Sequence, residues 1–121
     1  MIKRLFGMAL TALLLSGCAE SEAKGRVKEL LNDSTSAEFS DVYSQAGVTC
    51  GFVNAKNRLG AFTGPQAFIV QDGIAEIVDD IPSDSFLNDL STKCDERVFE
   101  RYSRTILNDL QVNAARSIRE K

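Results

Sequence analysis

The chain has 121 residues, 44% hydrophobic and 26% charged, which suits one small domain with a modest core rather than two. Its 14 Lys and Arg stand against 17 Asp and Glu, a formal charge of −3, which argues against the basic face that a nucleic-acid partner requires. There is no histidine, so the commonest general base is absent, and Ser-His-Asp, Cys-His and histidine-bearing zinc arrangements go with it.

The first element is a signal. Lys3 and Arg4 form a charged start, and Leu5 to Leu15 supply an apolar run far below the ~20 residues that span hydrocarbon, so the segment reads as a removable export sequence. It closes on Leu15-Ser16-Gly17-Cys18, which resembles the lipobox of bacterial lipoprotein signals. That resemblance implies a diacylglyceryl group on the Cys18 thiol, cleavage before Cys18, and acylation of the new amino terminus by a fatty acid such as palmitate. The expected organisation is a signal peptide at 1–17, a lipidated cysteine and short tether at 18–21, and a single periplasmic α+β domain at 22–121. Ala19 follows the cysteine, where in lipoproteins an aspartate is the usual signal for inner-membrane retention, so the resemblance implies a lipid anchor in the outer membrane with the domain facing the periplasm. Loss of Lys3 and Arg4 with the signal leaves 12 basic against 17 acidic residues, a net charge near −5.

With Cys18 assigned to lipid, Cys50 and Cys94 are the remaining pair, and an oxidising periplasm lets them form a disulfide. A redox or metal role for them is disfavoured, since there is no Cys-x-x-Cys.

Ala23, Val27, Leu30 and Leu31 make one apolar stripe, which predicts a helix from about Glu22 to Asn32, broken by Asn32-Asp33-Ser34-Thr35-Ser36. Strands are expected over Ala37–Gln45, with Phe39 and Tyr43 on one side, and over Val48–Ala55, with Val48, Cys50 and Phe52 pointing one way. Ala46-Gly47 suits the turn between them. Ala67–Gln71 and Ile74–Asp79 flank Asp72-Gly73, a strong hairpin signal. Ser83 suits the N-cap of a short helix carrying Phe86, Leu87 and Leu90. A longer helix begins near Asp95, where Phe99, Tyr102, Ile106, Leu110, Ala114 and Ile118 repeat at helical spacing. Its basic residues are interleaved with acids and read as a solvated face. The order predicts an α+β fold: a small antiparallel sheet of three to four strands, an N-terminal helix and two C-terminal helices, packed on one face.

Lys56 to Gln66 is the longest loop and the candidate binding surface, with Asn54, Lys56 and Asn57 as possible ligand contacts; the alternative is that the asparagines serve the turn itself. Asp33-Ser34-Thr35-Ser36-Ala37-Glu38-Phe39 and Cys50-Gly51-Phe52-Val53-Asn54-Ala55-Lys56-Asn57, followed by Gly60, Phe62 and Gly64, are similar to the D-P-x-S-A-x-F and C-G-x-V-N-x-K-N-x-x-G-x-Y-x-G patterns of a group of small bacterial and prophage-associated exported proteins. Ser34 stands for the usual proline and Phe62 for the usual tyrosine. The resemblance covers about a third of the mature chain and implies a shared fold.

The acidic residues bear on two other chemistries. Asp72, Glu76, Asp79, Asp80 and Asp84 supply carboxylates for glycoside cleavage or for calcium, but they read as turn and helix-start residues and lack the spacing of a 12-residue calcium loop. No enzyme, metal or cofactor is expected. The expected function is binding of another envelope protein without catalysis, with phage superinfection exclusion as the specific version that the prophage likeness implies. The alternatives are an inhibitor of an incoming enzyme such as a lysozyme, and a structural or small-ligand-binding envelope module.

Overall fold

The structure is a computed structural model that describes residues 18–78 and 81–119. The expected signal peptide at 1–17 lies outside the described residues. The first helix, α1, spans residues 18–28, so it begins and ends about four residues before the expected Glu22 to Asn32 and includes 18–21. Ala23 and Val27, four apart, are its buried positions. Leu30 is exposed, contrary to the predicted stripe, because the chain leaves the helix first: the Leu30 amide bonds back to Val27 and the Leu31 amide to Lys28, a tighter turn that rotates Leu30 outward. A single 3-10 turn, Ser34–Ser36, follows.

Four strands form one antiparallel meander: β1 Glu38–Gln45, β2 Val48–Asn54, β3 Gln66–Gln71 and β4 Ile74–Ile77, in sheet order β1-β2-β3-β4. Both tight turns are where the dipeptides placed them. Ala46 and Gly47 have φ of 48° and 79°, and Asp72 and Gly73 have 51° and 73°, the paired positive values that match the twist of a two-residue hairpin. Two helices complete the chain, α2 Asp84–Lys93 and α3 Glu96–Arg119. The Ser83 hydroxyl accepts from the Phe86 amide at 3.1 Å and caps α2 as predicted.

The helices do not share one face. Ala23 and Val27 of α1 pack with Val53, Phe68 and Val70 on one side of the sheet, while Phe86 and Leu90 of α2 and Val98 and Tyr102 of α3 pack with Val48, Cys50, Phe52, Ala67 and Ile69 on the other. The physical reason lies in β2 and β3. Val48 to Val53 and Ala67 to Val70 are buried at every position, so both faces of the central strands need a cover.

A bulge corrects the phase expected for β1. Phe39 pairs with Val53 and Ser40 with Phe52, but Tyr43 pairs with Cys50, so Asp41 and Val42 together oppose Gly51. Asp41 takes φ 48°. The extra residue turns Tyr43 toward the α2/α3 face and leaves Phe39 and Val42 on the α1 face, where Phe39 meets Phe68 edge to face at 5.8 Å. Gly51 is required here by space: a Cβ would lie 2.9 Å from Val42 Cγ2, 3.0 Å from Val42 Cα and 3.1 Å from the Asp41 carbonyl oxygen. Cys50 and Cys94 are disulfide-bonded, tying the α2–α3 junction to β2.

Two arginines of the expected solvated face also hold α3 to the sheet, Arg97 while remaining exposed and Arg101 half-buried. The Arg97 guanidinium sits 3.9 Å from the Tyr43 ring centre, and that of Arg101 sits 4.0 Å from Phe52 while Arg101 Nη1 pairs with Asp41 Oδ2 at 2.7 Å.

Candidate functional site

The loop between β2 and β3 is built by its own asparagines. Asn54 Oδ1 accepts from the Gly64 amide at 3.1 Å, across the mouth of the loop. Asn57 Oδ1 accepts from the amides of Leu59 at 3.0 Å and Ala61 at 3.2 Å, and the Asn57 amide donates to the Ala61 carbonyl at 2.8 Å. With Gly60 at φ 79° the backbone reverses, and a bridge between Lys56 and Phe62 keeps the two arms together. Both side-chain carbonyls are therefore engaged in the turn, as an Asx residue commonly is.

Lys56 has a different role at each end. Its amide donates to Ser36 Oγ at 2.9 Å, and its ammonium lies 5.6 Å from the centre of the Phe62 ring. Ser36 also donates to the Asp33 carbonyl at 2.8 Å, and Asp33 Oδ1 accepts from the Thr35 hydroxyl at 2.6 Å and the Thr35 amide at 3.2 Å. These bonds hold the Asp33 carboxyl below its ordinary pKa, the Thr35 hydroxyl being the main cause. The two motif segments, 33–39 and 50–57, thus meet through Ser36 and Lys56. Their residue types are accounted for by this junction, by the bulge at Gly51 and by the turn at Asn57.

The outward groups of the loop are residues that periodicity does not single out. Leu59 is 92% exposed and Phe62 46% exposed, with Lys56 and Arg58 exposed beside them. Arg58 Nε donates to Asn32 Oδ1 at 3.4 Å, linking the tip to the chain after α1. A groove of about 360 Å³ runs between this loop and the chain after α1, lined by Leu31, Asn32, Lys56, Asn57 and Thr63. Chemically the tip offers two cations and two large apolar side chains.

At the other end of the sheet, Cys18 is exposed at the start of α1. A cleft of about 470 Å³ separates α1, at Ala19 and Glu22, from the two hairpin turns at Ala46-Gly47 and Asp72-Gly73. Since α1 runs from this cleft to the groove beside Asn57, Cys18 and the loop tip lie at opposite ends of the domain.

The described candidate carboxylates lie on separate elements: Asp72 sits in its turn, Glu76 is on β4 opposite Ile69 of β3, and Asp84 occupies the first turn of α2; Asp79 and Asp80 lie outside the described residues. Among the described residues there is no group of three or more Cys, Asp or Glu that could hold a metal ion, and no helix long and apolar enough to cross a membrane. No protein-family model, curated protein or solved structure matches the chain.

Proposed function

We propose that this chain is a lipoprotein of the outer membrane, anchored through Cys18, whose domain binds another envelope protein without catalysis. The observation that carries the binding part is the loop tip: Leu59 and Phe62 are exposed next to Lys56 and Arg58 on an otherwise acidic domain, at the end remote from Cys18. An exposed apolar pair rimmed by cations suits a protein surface carrying carboxylates. The anchor part is supported by the order of charge, apolar run, small residues and cysteine at 3–18, and by the exposure of Cys18 ahead of the first buried residue, Ala23. Superinfection exclusion is the specific form, in which the bound protein is one that a phage uses.

The test places a photo-crosslinking residue at Leu59 in the full-length chain in living cells. One dominant adduct with an outer-membrane protein, lost in Cys18→Ser, is the expected result, together with resistance to phages that use that protein. No adduct above background would overturn the reading. An adduct that forms only when a basic enzyme such as a lysozyme is supplied would replace it with the inhibitor alternative. Continued acylation of Cys18→Ser would remove the anchor.

A further inference from the structure

Helix α3 outruns the domain it packs on. Val98 and Tyr102 are buried and Ile106 half-buried, but every residue from Leu107 to Arg119 is exposed, including Leu107 at 58%, Leu110 at 60% and Ile118 at 76%. At 1.5 Å per residue this free part projects by about 18 Å. It is not polar all round. At 100° per residue, Phe99, Ser103, Leu107, Leu110, Ala114 and Ile118 fall in one arc of about 100°, with Glu100 and Ser117 at its two edges, and its centre lies about 130° around the helix from the buried Val98 and Tyr102.

The stripe is palindromic. Its successive spacings are four, four, three, four and four, symmetric about a point between Asn108 and Asp109. Laid antiparallel against a second copy of itself about that point, large meets large and small meets small: Phe99 faces Ile118, Ser103 faces Ala114, and Leu107 faces Leu110, each pair occurring twice. Alternating large and small contacts let two helices approach closely along their whole length. The borders agree. Arg104 comes opposite Gln111 and Ala115 and meets no like charge, and it makes no ion pair among the described residues. The Ala114–Ile118 segment of the other copy would lie on the open surface at Phe99, Glu100, Ser103 and Arg104.

We infer that α3 is the interface of a symmetric homodimer, an antiparallel pair of α3 helices joined through this stripe. The paired length from Phe99 to Ile118 is about 28 Å, and with four large apolar side chains from each copy the buried area is on the order of the 1,000 Å² that a specific contact needs. The occupant is a second copy because the complementarity is internal to the stripe: one two-fold operation matches each of the six apolar or small positions with a partner of its own size class and sets Glu100, at the border, against Ser117. This inference is independent of the anchor and of the loop.

The register makes a specific demand on cysteine crosslinking. In the double variant Ser103→Cys/Ala114→Cys of the full-length chain, each new thiol faces its counterpart on the other copy, whereas Ser103 of the two copies lie about 16 Å apart along the axis. Mild oxidation of membranes should convert the double variant to a covalent dimer on a non-reducing gel. Each single variant should stay at the background of the unsubstituted chain, and co-expressed singles should pair with each other. A monomeric double variant would overturn the inference, as would singles that crosslink equally well, or adducts with a different protein only. As a second measurement, Leu110→Arg should abolish concentration-dependent dimerisation in sedimentation while leaving the melting temperature of the domain unchanged, since Leu110 is 60% exposed and packs against neither core cluster; a dimer that survives it would also refute the register.

Discussion

Replacing Gly51 by alanine is a direct probe of the bulge. The glycine lies in β2 without a positive φ, so the cost comes from space and not from φ. Of the three contacts a Cβ would meet, Val42 Cγ2 at 2.9 Å belongs to a side chain, but Val42 Cα at 3.0 Å and the Asp41 oxygen at 3.1 Å are backbone. A rotamer change at Val42 therefore relieves one contact and leaves two. To accommodate the methyl, β1 has to move off β2 by a few tenths of an ångström, against the Arg101–Asp41 ion pair and the Phe39–Phe68 contact. Overpacking of this kind costs about 1–3 kcal/mol, and the backbone share places Gly51→Ala toward the upper end, about 2–3 kcal/mol. For a domain this size that corresponds to a melting temperature lower by about 10–20 °C. The assay is urea and thermal denaturation of the oxidised protein followed by circular dichroism. Gly25→Ala is the internal control: nothing lies within 4 Å of its Cβ, it is exposed inside α1, and the change should stabilise by about 0.5–1 kcal/mol. If Gly51→Ala unfolds within about 0.5 kcal/mol of the parent, the two-against-one register at Asp41 and Val42 is wrong. Adding Val42→Ala to Gly51→Ala should recover only part of the loss, because two of the three contacts are with backbone.

Other outcomes follow from the same geometry. Cys50→Ser opens a loop spanning 44 residues and should cost about 4 kcal/mol through loop entropy, read as a lower urea midpoint; a parent protein whose melting is unchanged by reductant would contradict this. Asn57→Ala removes the acceptor of two loop amides and should raise hydrogen exchange at Leu59 and Ala61 about fivefold, with little change in global melting; unchanged exchange would show that the turn does not depend on it. The Asp95 carboxyl, just ahead of α3, is held down to about 2 by the Arg97 side chain first and then by the Arg97 amide. A carboxylate whose pKa is depressed in the fold stabilises it fully above its unfolded value of 3.8, and that contribution disappears as the pH falls toward about 2. Asp95→Asn should accordingly flatten the stability profile between about pH 4 and 2; parallel profiles for variant and parent would refute the assignment.

Much of this fold was legible because it is encoded locally. Ala46-Gly47 and Asp72-Gly73 specify two-residue turns by their tolerance of positive φ, and Ser83 specifies the start of α2 by offering an acceptor to Phe86. The Cys50–Cys94 bond needed only a count of cysteines once Cys18 was set aside. The asparagines of the loop were legible as a class, but whether their carbonyls would face a ligand or the backbone depended on where Gly64, Leu59 and Ala61 came to rest.

The rest was decided by contacts between residues distant in sequence. Period-two alternation cannot show a bulge, because the extra residue at Asp41 exists only relative to Gly51 on the neighbouring strand, and it reverses which face Tyr43 takes. The runs Val48–Val53 and Ala67–Val70 carry apolar or small residues on both faces, a sign that the central strands need two covers, but which helix would supply each cover depends on how the chain crosses the sheet. Periodicity marked α3 as amphipathic along its full length without showing where its partner would end. The sequence by itself determined the elements, their turns and their order, because those depend on dihedral preferences and caps within a few residues. Tertiary structure alone decided that α1 stands apart from α2 and α3, that Ser36 and Lys56 join the two motif segments, and that the distal half of α3 runs exposed past the core, because each of these depends on which surfaces remain within reach once the sheet has formed.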